Sequence, residues 1–432
     1  MSFLGRVGTA RRAGAALFRH RLIAATAGTA AAVIVAGCSF AATSAQGSGQ
    51  EKLVNTGNEQ QGGQPAAAAT PTAPAGPLRL IAVSPAGGTR HANGGAPVTL
   101  TFSSALSAAT PLPAITPKIA GRWQVSGATA TFTPAAGFQP GTKVTVTVPG
   151  GVAGAAPTAG TLRHPATVSY TTGTYSTLGL QVLLARLGYL PLTWTPAGGG
   201  AAGSEIPAGA PAAGAPAAAA AAAAAGAMSM NEVMADAYGP SGGTFTFQPG
   251  YPSALTSQWR TGKDNKLVDG AIWAFQNDQG LTMDGVAGPQ FWAHLLAAAA
   301  AGKVNPNGYT YAVASQNSPH EKLKVWHNGQ LILNTPANTG IPASTTVDGT
   351  FPVYERLQFQ IMKGTNPDGS KYADPVYWIS YFNGGDAVHY FDRPVYGSYQ
   401  SLGCVELPWA QAKFIWKYLT YGTLVTVTGP VA

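Results

Sequence analysis

The chain has 432 residues, enough for two to four domains with separate cores. Its formal charge is +8, but five of the 25 Lys and Arg residues lie within the first 37 positions. The other 20, together with all 17 Asp and Glu, give the rest of the chain a net charge of +3. A charge this small argues against a nucleic-acid binder, which would normally have a concentrated basic patch, and we expect no nucleic-acid partner.

The first 37 residues have the layout of an export signal. Five arginines and no acidic residue accompany an apolar run, residues 22–35, which is too short and too rich in Ala and Gly for a membrane span. The run ends in VAGC, which resembles a bacterial lipobox and implies that Cys38 is lipidated after cleavage. An uncleaved anchor or an ordinary secretory signal is the alternative. Residues 38–77, rich in Gln, Gly, Ala, Thr and Pro, predict a flexible tether.

Residues 78–173 predict a small β-sandwich. Thr and Val alternate in short runs separated by Gly and Pro, as in VTLTF, TATFTP and KVTVTV. The order of VSPAGG, VTLTFSSAL, GRWQVSGATATFTP and PGTKVTVTV resembles bacterial immunoglobulin-like modules. His91 and His164 stand alone and predict surface positions rather than metal ligands, so we expect this domain to be a spacer.

Residues 174–300 predict a small helical domain. Leu180, Leu183, Leu184 and Leu187 recur at helical spacing, and residues 269–299 predict two further helices that separate near Gly280. LQVLLARLGY, FQNDQGLTMDGVAG and FWAHLL together resemble the peptidoglycan-binding three-helix fold. A segment rich in Ala, Gly and Pro, residues 196–227, interrupts this pattern, and the sequence leaves open whether it is a loop or a short helix.

Residues 307–430 predict a mainly antiparallel β domain. YTYAVAS, EKLKVWHNGQLILNTPANTG and TFPVYERL are strand-like, and the Asn-Gly pair within HNGQ predicts a hairpin turn. PWAQAKFIWKYL predicts one helix that begins near Pro408, and GTLVTVTG predicts the closing strand. The sequence therefore predicts a multidomain chain: an immunoglobulin-like sandwich, a three-helix bundle and a β domain.

Cys404 is the candidate nucleophile. If Cys38 carries a lipid, no cysteine remains to form a disulfide with Cys404, so its thiol is either buried and inert or chemically employed. A helix N-terminus or an imidazole favours a thiolate. The helix behind Pro408 and His389, 15 positions upstream, are the candidates for these two roles. By residue type alone, an inert thiol and a surface imidazole remain an open alternative.

A family resemblance sharpens this hypothesis. HYFDRPVYGSYQSLGCVEL resembles the signature of the L,D-transpeptidases, the YkuD-type catalytic domain, as do NGQLILNTPANTG and TTVDGTFPVY upstream. The resemblance implies that Cys404 attacks a peptidoglycan stem peptide and that His389 takes the thiol proton. It further implies that the Tyr390 carbonyl orients His389, that Ser401 belongs to the motif, and that the amides of Gly403 and Cys404 bind the oxyanion.

The sequence departs from the family pattern at two positions near the thiol. Leu402 replaces the second histidine of the motif, and Glu406 stands where Asn or Arg is common. A carboxylate beside a thiol raises its pKa, but Glu406 could instead pair with a basic group or meet an acceptor amine. Residues 375–385 predict a wall or lid over the cleft, in which Trp378 and Tyr381 either contact substrate or pack in the core.

The implied activity is acyl transfer in the cell wall. The resemblance implies a thioester formed on Cys404 with loss of D-alanine, and 3→3 cross-links formed when an acceptor amine resolves it. No metal or cofactor is required, and carbapenem β-lactams are implied inhibitors. The alternatives are an L,D-carboxypeptidase, a non-catalytic wall-binding adaptor, or attachment of a protein to the wall. We expect a cell-envelope location, lipid-anchored to the outer face of the plasma membrane.

Overall fold

The structure, a computed structural model, describes residues 76–197, 228–317 and 319–429. The predicted signal, Cys38, the tether up to residue 75 and the insertion from residue 198 lie outside the described residues, so these expectations stay predictions. No helix in the described ranges is both long and apolar enough to span a membrane.

The N-terminal region is a sandwich of two antiparallel sheets. Its strands are β1 (Leu80–Ser84), β2 (Val98–Phe102), β3 (Ala114–Thr116), β4 (Gly121–Ser126), β5 (Thr129–Pro134), β6 (Lys143–Val148) and β7 (Ala166–Thr171). One sheet has the order β1-β2-β5-β4 and the other β3-β6-β7. Alternate residues such as Val98, Leu100 and Phe102 point into one shared apolar core, which explains the period-two pattern of the sequence.

The middle region contains more than the three predicted helices. Its elements are α1 (Thr177–Arg186), β8 (Leu192–Pro196), α2 (Met230–Tyr238), β9 (Gly243–Phe247), α3 (Ser253–Thr256), α4 (Lys266–Asp278) and α5 (Pro289–Ala300). The helices predicted at α1, α4 and α5 are present. A three-helix bundle is not confirmed, because α2, α3 and the antiparallel β8–β9 pair belong to the same core.

Side-chain caps and local turns set the helix ends in this region. Ser176 accepts a hydrogen bond from the Gly179 amide, Asn265 caps α4, and Pro289 occupies the first turn of α5. α2 begins with a reciprocal capping box between Ser229 and Glu232. This box was not predicted.

The middle region packs against both of its neighbours. Tyr238 donates a hydrogen bond to the Phe138 carbonyl of the sandwich at 2.7 Å. On the other side, Tyr309, Tyr311 and Leu424 of the C-terminal region are buried in the same apolar cluster as the helices. A Cβ atom on Gly270 of α4 would overlap the backbone before Leu424, so the helix lies directly against that chain segment.

The C-terminal region holds two larger sheets and one helix. The elements are β10 (Thr310–Ser315), β11 (Lys322–His327), β12 (Gln330–Pro336), β13 (Thr339–Gly340), β14 (Gly349–Pro352), β15 (Glu355–Thr365), β16 (Lys371–Asn383), β17 (Asp386–Tyr390), β18 (Tyr399–Ser401), β19 (Val405–Leu407), α6 (Trp409–Trp416) and β20 (Leu424–Thr428). The sheet orders are β12-β11-β10-β20-β14 and β15-β16-β17-β19, with a separate β13–β18 pair.

The pairing in this region is mixed rather than purely antiparallel. β10 with β20, β17 with β19, and β13 with β18 are parallel pairs. An apolar core lies between the two larger sheets and α6. Residues 375–385, expected as a wall or lid, lie mostly in β16, an inner strand of the four-stranded sheet.

Candidate active site

Two adjacent strands bring Cys404 and His389 to one face of the four-stranded sheet. β17 and β19 run parallel, with Val388 opposite Val405 and His389 opposite Glu406. Because side chains alternate along a strand, His389 and Glu406 share a face, and Cys404 just before β19 lies on that same face. Val388 and Val405 point the other way into the core beneath α6.

His389 is held as a neutral base. The ring is 2% exposed, and its Nδ1 lies 2.9 Å from the Tyr390 carbonyl oxygen. Nδ1 can bond this oxygen only as a donor, so the neutral ring leaves Nε2 as its acceptor. Burial lowers the pKa of His389, against the opposing effects of the Tyr390 carbonyl and Glu406.

The Cys404 thiol lies at the end of the β16–β17 hairpin. Sγ donates to the Gly385 carbonyl oxygen at 3.6 Å, and Cys404 packs against the buried cluster of Val376, Ile379 and Ala387. Burial raises the pKa of the thiol to about 12, a hydrogen bond from the Ala387 amide opposes this rise, and Asp386 adds to it. The resting thiol is therefore protonated near neutral pH and needs a base before it can attack.

The helix behind Pro408 does not supply the predicted activation. The three residues of β19 separate Cys404 from the start of α6, a span of roughly 10 Å at ~3.3 Å per residue. The field of a helix terminus falls off within about one turn. The imidazole of His389, on the same face of the sheet as Cys404, is the remaining candidate for activating the thiol.

Ser401 fixes the turn that carries Cys404. Its Oγ donates to the Cys404 carbonyl at 2.6 Å and accepts from the Gly403 amide at 3.2 Å. The Ser344 hydroxyl donates to the Leu402 carbonyl at 3.0 Å, so Leu402 contributes its backbone to the same turn. The Gly403 amide, expected to be free for an oxyanion, is therefore already bonded to Ser401. The Cys404 amide remains the simpler candidate.

Glu406 is half of a buried ion pair. Arg393 Nε and Nη2 each donate to its carboxylate at 2.8 Å, and Asn338 Nδ2 lies 3.3 Å from Oε2. Arg393 also donates to the Gln400 carbonyl, so the pair closes the loop between His389 and Cys404. Of the outcomes left open for Glu406, pairing with a basic group is the one present in the structure.

Sequence reasoning missed Arg393 and Asn338. The Asn338 Oδ1 accepts from the Gly397 amide at 3.0 Å and from Gln400 Nε2 at 3.1 Å, so its buried side chain ties β13 to the same loop. One signal was available for Arg393: it is the only Lys or Arg between His389 and Cys404. A carboxylate buried beside that motif needs such a cation.

Tyr381 and Trp378 lie on opposite faces of the sheet. Tyr381 packs against the same buried cluster as Cys404 and donates to Gln360 Oε1 at 2.7 Å. Trp378 adopts φ +59° at an irregularity between β16 and β17 and packs against Trp409 and Trp416 of α6. Substrate contact is compatible with the position of Tyr381, whereas Trp378 takes the core-packing alternative.

Asp386 is a second acidic residue near the thiol that the sequence analysis did not single out. Its Oδ2 accepts from Asn383 Nδ2 at 3.3 Å, and a Cβ atom on Gly403 would overlap its Oδ1. Gly403 has φ +122°, a conformation that favours glycine, so the turn and the carboxylate can approach closely. Burial raises the pKa of Asp386.

The described ranges contain no group of three or more His, Cys, Asp or Glu residues placed to hold a metal ion. His327 lies away from Cys404, with Nδ1 3.0 Å from the Thr310 hydroxyl and its ring against Tyr418. The chemistry that the site can perform with its own groups is proton transfer from a thiol to an imidazole, followed by nucleophilic attack.

Comparison with known proteins gives two family matches. Residues 309–427 match the family model of the L,D-transpeptidase catalytic domain, YkuD, and residues 74–172 match that of a bacterial Ig-like domain. No curated protein matches the chain.

Several solved structures are similar to parts of the chain. An L,D-transpeptidase from Mycobacterium smegmatis is 14% identical over 82% of this chain and 100% of its own, with a TM-score of 0.26. The LdtMt1 L,D-transpeptidase in complex with imipenem is also 14% identical, over 81% and 98%, with a TM-score of 0.26. The catalytic domain from the E. faecium L,D-transpeptidase is 28% identical over 28% and 96%, with the same TM-score.

The family matches agree with the elements described above. The first covers the β10–β20 region with Cys404 and His389, and the second covers the sandwich. The chain therefore carries a bacterial Ig-like domain and, at residues 309–427, a YkuD-type L,D-transpeptidase catalytic domain.

Proposed function

We propose that this protein is a cysteine-dependent peptidoglycan L,D-transpeptidase that forms 3→3 cross-links from tetrapeptide stems. The observation that carries the proposal is the placement of His389 and Cys404 on one face of two parallel strands, with Nδ1 held 2.9 Å from the Tyr390 carbonyl. This arrangement leaves Nε2 to act as the base, and the family match supplies the substrate class.

Acylation starts from a neutral pair. As Sγ of Cys404 attacks the carbonyl carbon of the third stem residue, its proton passes to Nε2 of His389. The charged oxygen of the tetrahedral intermediate is stabilised by the Cys404 amide. The intermediate collapses when the bond to the terminal D-alanine breaks, and His389 returns the proton to the leaving nitrogen. A thioester remains on Cys404.

Deacylation completes the transfer. The amine of a second stem, from a diaminopimelate residue in the family, attacks the thioester carbon, and the C–N bond forms as the C–S bond breaks. His389 accepts a proton from the nitrogen and passes it to the departing sulfur. Attack by water at the same carbon would give carboxypeptidase activity, so the two outcomes differ only in the nucleophile.

The remaining parts suit delivery of this domain into the wall. In our proposal Cys38 carries the lipid at the outer face of the plasma membrane, residues 39–77 form a tether, and the Ig-like sandwich acts as a spacer. The described sandwich has its own apolar core and carries no nucleophile–base pair like that of the C-terminal domain, which supports a mechanical role. We also propose that the middle region binds glycan.

Covalent trapping tests the nucleophile. LdtMt1 has been solved with imipenem, and we expect this protein to form a 1:1 imipenem adduct detectable by intact mass. Cys404→Ala should abolish the adduct, whereas Cys38→Ser is the matched control and should retain it, since these are the two cysteines of the chain. An adduct that survives Cys404→Ala, or no adduct at all in the wild-type protein, would contradict the assignment.

Product analysis tests the reaction. Incubated with a purified disaccharide-tetrapeptide, the wild-type protein should release D-alanine and yield a cross-linked dimer, resolved by mass spectrometry. Release of tripeptide without dimer would identify a carboxypeptidase instead. A protein that leaves the tetrapeptide intact and takes up no carbapenem would be a wall-binding adaptor.

A further inference from the structure

The residues Gly385 to Ala387 enclose the thiol from one side. Sγ of Cys404 donates to the Gly385 carbonyl, and the Ala387 amide donates to Sγ. Asp386 lies between these two contacts in the chain, and its Oδ1 lies against the Gly403 backbone, one residue before the nucleophile. A carboxylate is thus fixed against the turn that carries the thiol, and it is separate from the Glu406–Arg393 pair.

The position of this carboxylate is set by two donors on one oxygen. Oδ2 of Asp386 accepts from Asn383 Nδ2 at 3.3 Å and from the Val347 amide at 3.5 Å. The two donors belong to the end of β16 and to the segment just before β14. Oδ1 is left facing the turn at Gly403, and the side chain is only partly buried, so a ligand can reach it.

Asp386 has no cationic partner in the part of the chain that the structure describes. Within the described residues, no Lys, Arg or His nitrogen lies within 4 Å of its carboxylate. Arg393, which lies in the loop after His389, is bound to Glu406 through two hydrogen bonds. A partly exposed carboxylate without a counter-charge in the described residues is available to a ligand that brings the opposite charge.

We propose that Asp386 binds the ammonium group of the acceptor amine and prepares it for attack on the Cys404 thioester. The inference rests on the proposed function. The ammonium gives one proton to the Asp386 carboxylate, and the neutral amine then attacks the thioester carbon. The C–N bond forms and the C–S bond breaks, while a second proton passes through His389 to the sulfur. The third proton stays on the product amide, and Asp386 returns its proton to water.

Burial of Asp386 fits this step. It raises the pKa of the carboxyl, so this carboxylate takes a proton from an ammonium more readily than an exposed carboxylate would. The same negative charge raises the pKa of the Cys404 thiol, which disfavours acylation. We therefore expect Asp386 to accelerate attack of the acceptor amine on the thioester and not to accelerate acylation of Cys404.

The test separates the two half-reactions with Asp386→Asn in the full chain. Asn preserves an oxygen for the Asn383 and Val347 donors but removes the charge. We expect imipenem acylation to be unchanged or faster. Transfer from a tetrapeptide donor to an ammonium-bearing stem acceptor should fall about 10- to 100-fold, as expected for a lost charge-assisted hydrogen bond, with a raised KM for the acceptor.

Two controls identify what the variant has lost. Hydroxylamine is uncharged near neutral pH and also cleaves thioesters, so its reaction with the Asp386→Asn acyl-enzyme should match the wild type. Asp392→Asn removes the same charge from an exposed residue three positions beyond His389 and should leave all rates unchanged. An equal loss for hydroxylamine, or no loss for the ammonium acceptor, would overturn the Asp386 assignment while leaving the transpeptidase proposal intact. A wild-type protein that forms no dimer would overturn both.

Discussion

The sandwich and the transpeptidase domain are both β structures, but they bury different side chains. The polar side chains buried in the described sandwich are Thr110 and Thr172, which bond nearby backbone, as in the 2.7 Å bond from the Thr172 hydroxyl to the Gln139 carbonyl. The transpeptidase domain buries Glu321, Asn338, His389 and Glu406. Their burial places charge and ionisable groups where water cannot solvate them.

The buried charged groups lower the stability of the fold in the region of the proposed reaction. Apolar burial stabilises by about 25 cal/mol per Å², whereas a buried charge costs free energy unless it is paired and hydrogen-bonded. Glu406 is paired with Arg393 and bonded by Asn338, yet Asp386 has no protein cation within the described ranges. Of these groups, His389 and Glu406 lie on the face that carries Cys404, where the proposed reaction needs an oriented base and a fixed turn.

The largest effect should follow from removing the base. His389→Asn keeps a donor near Nδ1 for the Tyr390 carbonyl but has no basic nitrogen, so the rate of imipenem acylation should fall about 10²- to 10⁴-fold. His327→Asn is the matched control, because its ring bonds Thr310 away from the thiol. Stopped mixing followed by intact mass measures both rates. Equal rates in the two variants would show that His389 is not the base.

The pH dependence of imipenem acylation in the wild-type protein tests the same role of His389. Burial lowers the pKa of His389 below its ordinary value of 6.5 and raises that of the Cys404 thiol to about 12. The reactive neutral pair is lost only when His389 becomes protonated, so acylation should stay level through neutral pH and fall at a pH below 6.5. A rate that climbs steeply between pH 7 and 9 would indicate instead that a free thiolate is the reactive form.

The next effect is on stability near the site. Glu406→Ala leaves the partly exposed Arg393 without its partner, and the loss of this charge-assisted pair should cost about 1–3 kcal/mol. Lys266→Ala removes an exposed i,i+3 pair with Asp269 and should cost no more than about 0.5 kcal/mol. Urea unfolding compares the two, and hydrogen exchange should place the Glu406→Ala loss in residues 391–404. Similar costs for the two variants would contradict the buried pair.

The elements that local patterns define could be predicted from the sequence. The alternation of β2, β5 and β6 follows one buried face, and the turn at Asn328 and Gly329, both with positive φ, follows from that dipeptide. The positions of Cys404 and His389 came from the motif. Each of these features depends on a few neighbouring residues.

The missed features depend on distant residues. The parallel pairing of β17 with β19 requires the loop at 391–404 to fold back, and the Arg393–Glu406 and Asn338–Gly397 contacts that hold it cross between separate elements. Tyr377 and Trp378 both contact Trp409 of α6, so the irregularity at this point puts two consecutive side chains on one face, which strict alternation could not anticipate. β8 pairs with β9 across an insertion and a helix, so local spacing gave no signal for it.

The smallest effect on chemistry should come from damaging the sandwich. Leu100→Ala removes a fully buried side chain from β2 and should destabilise the sandwich by about 2–5 kcal/mol through lost burial and a cavity. The sandwich meets the middle region at contacts such as Tyr238 with Phe138, and not at Cys404, so imipenem acylation should be unchanged. Hydrogen exchange in β2 and β5 measures the loss, and intact mass measures acylation in the same sample. If acylation slowed in proportion to the lost protection, the sandwich would have to support the site through the middle region, and its assignment as a spacer would be wrong.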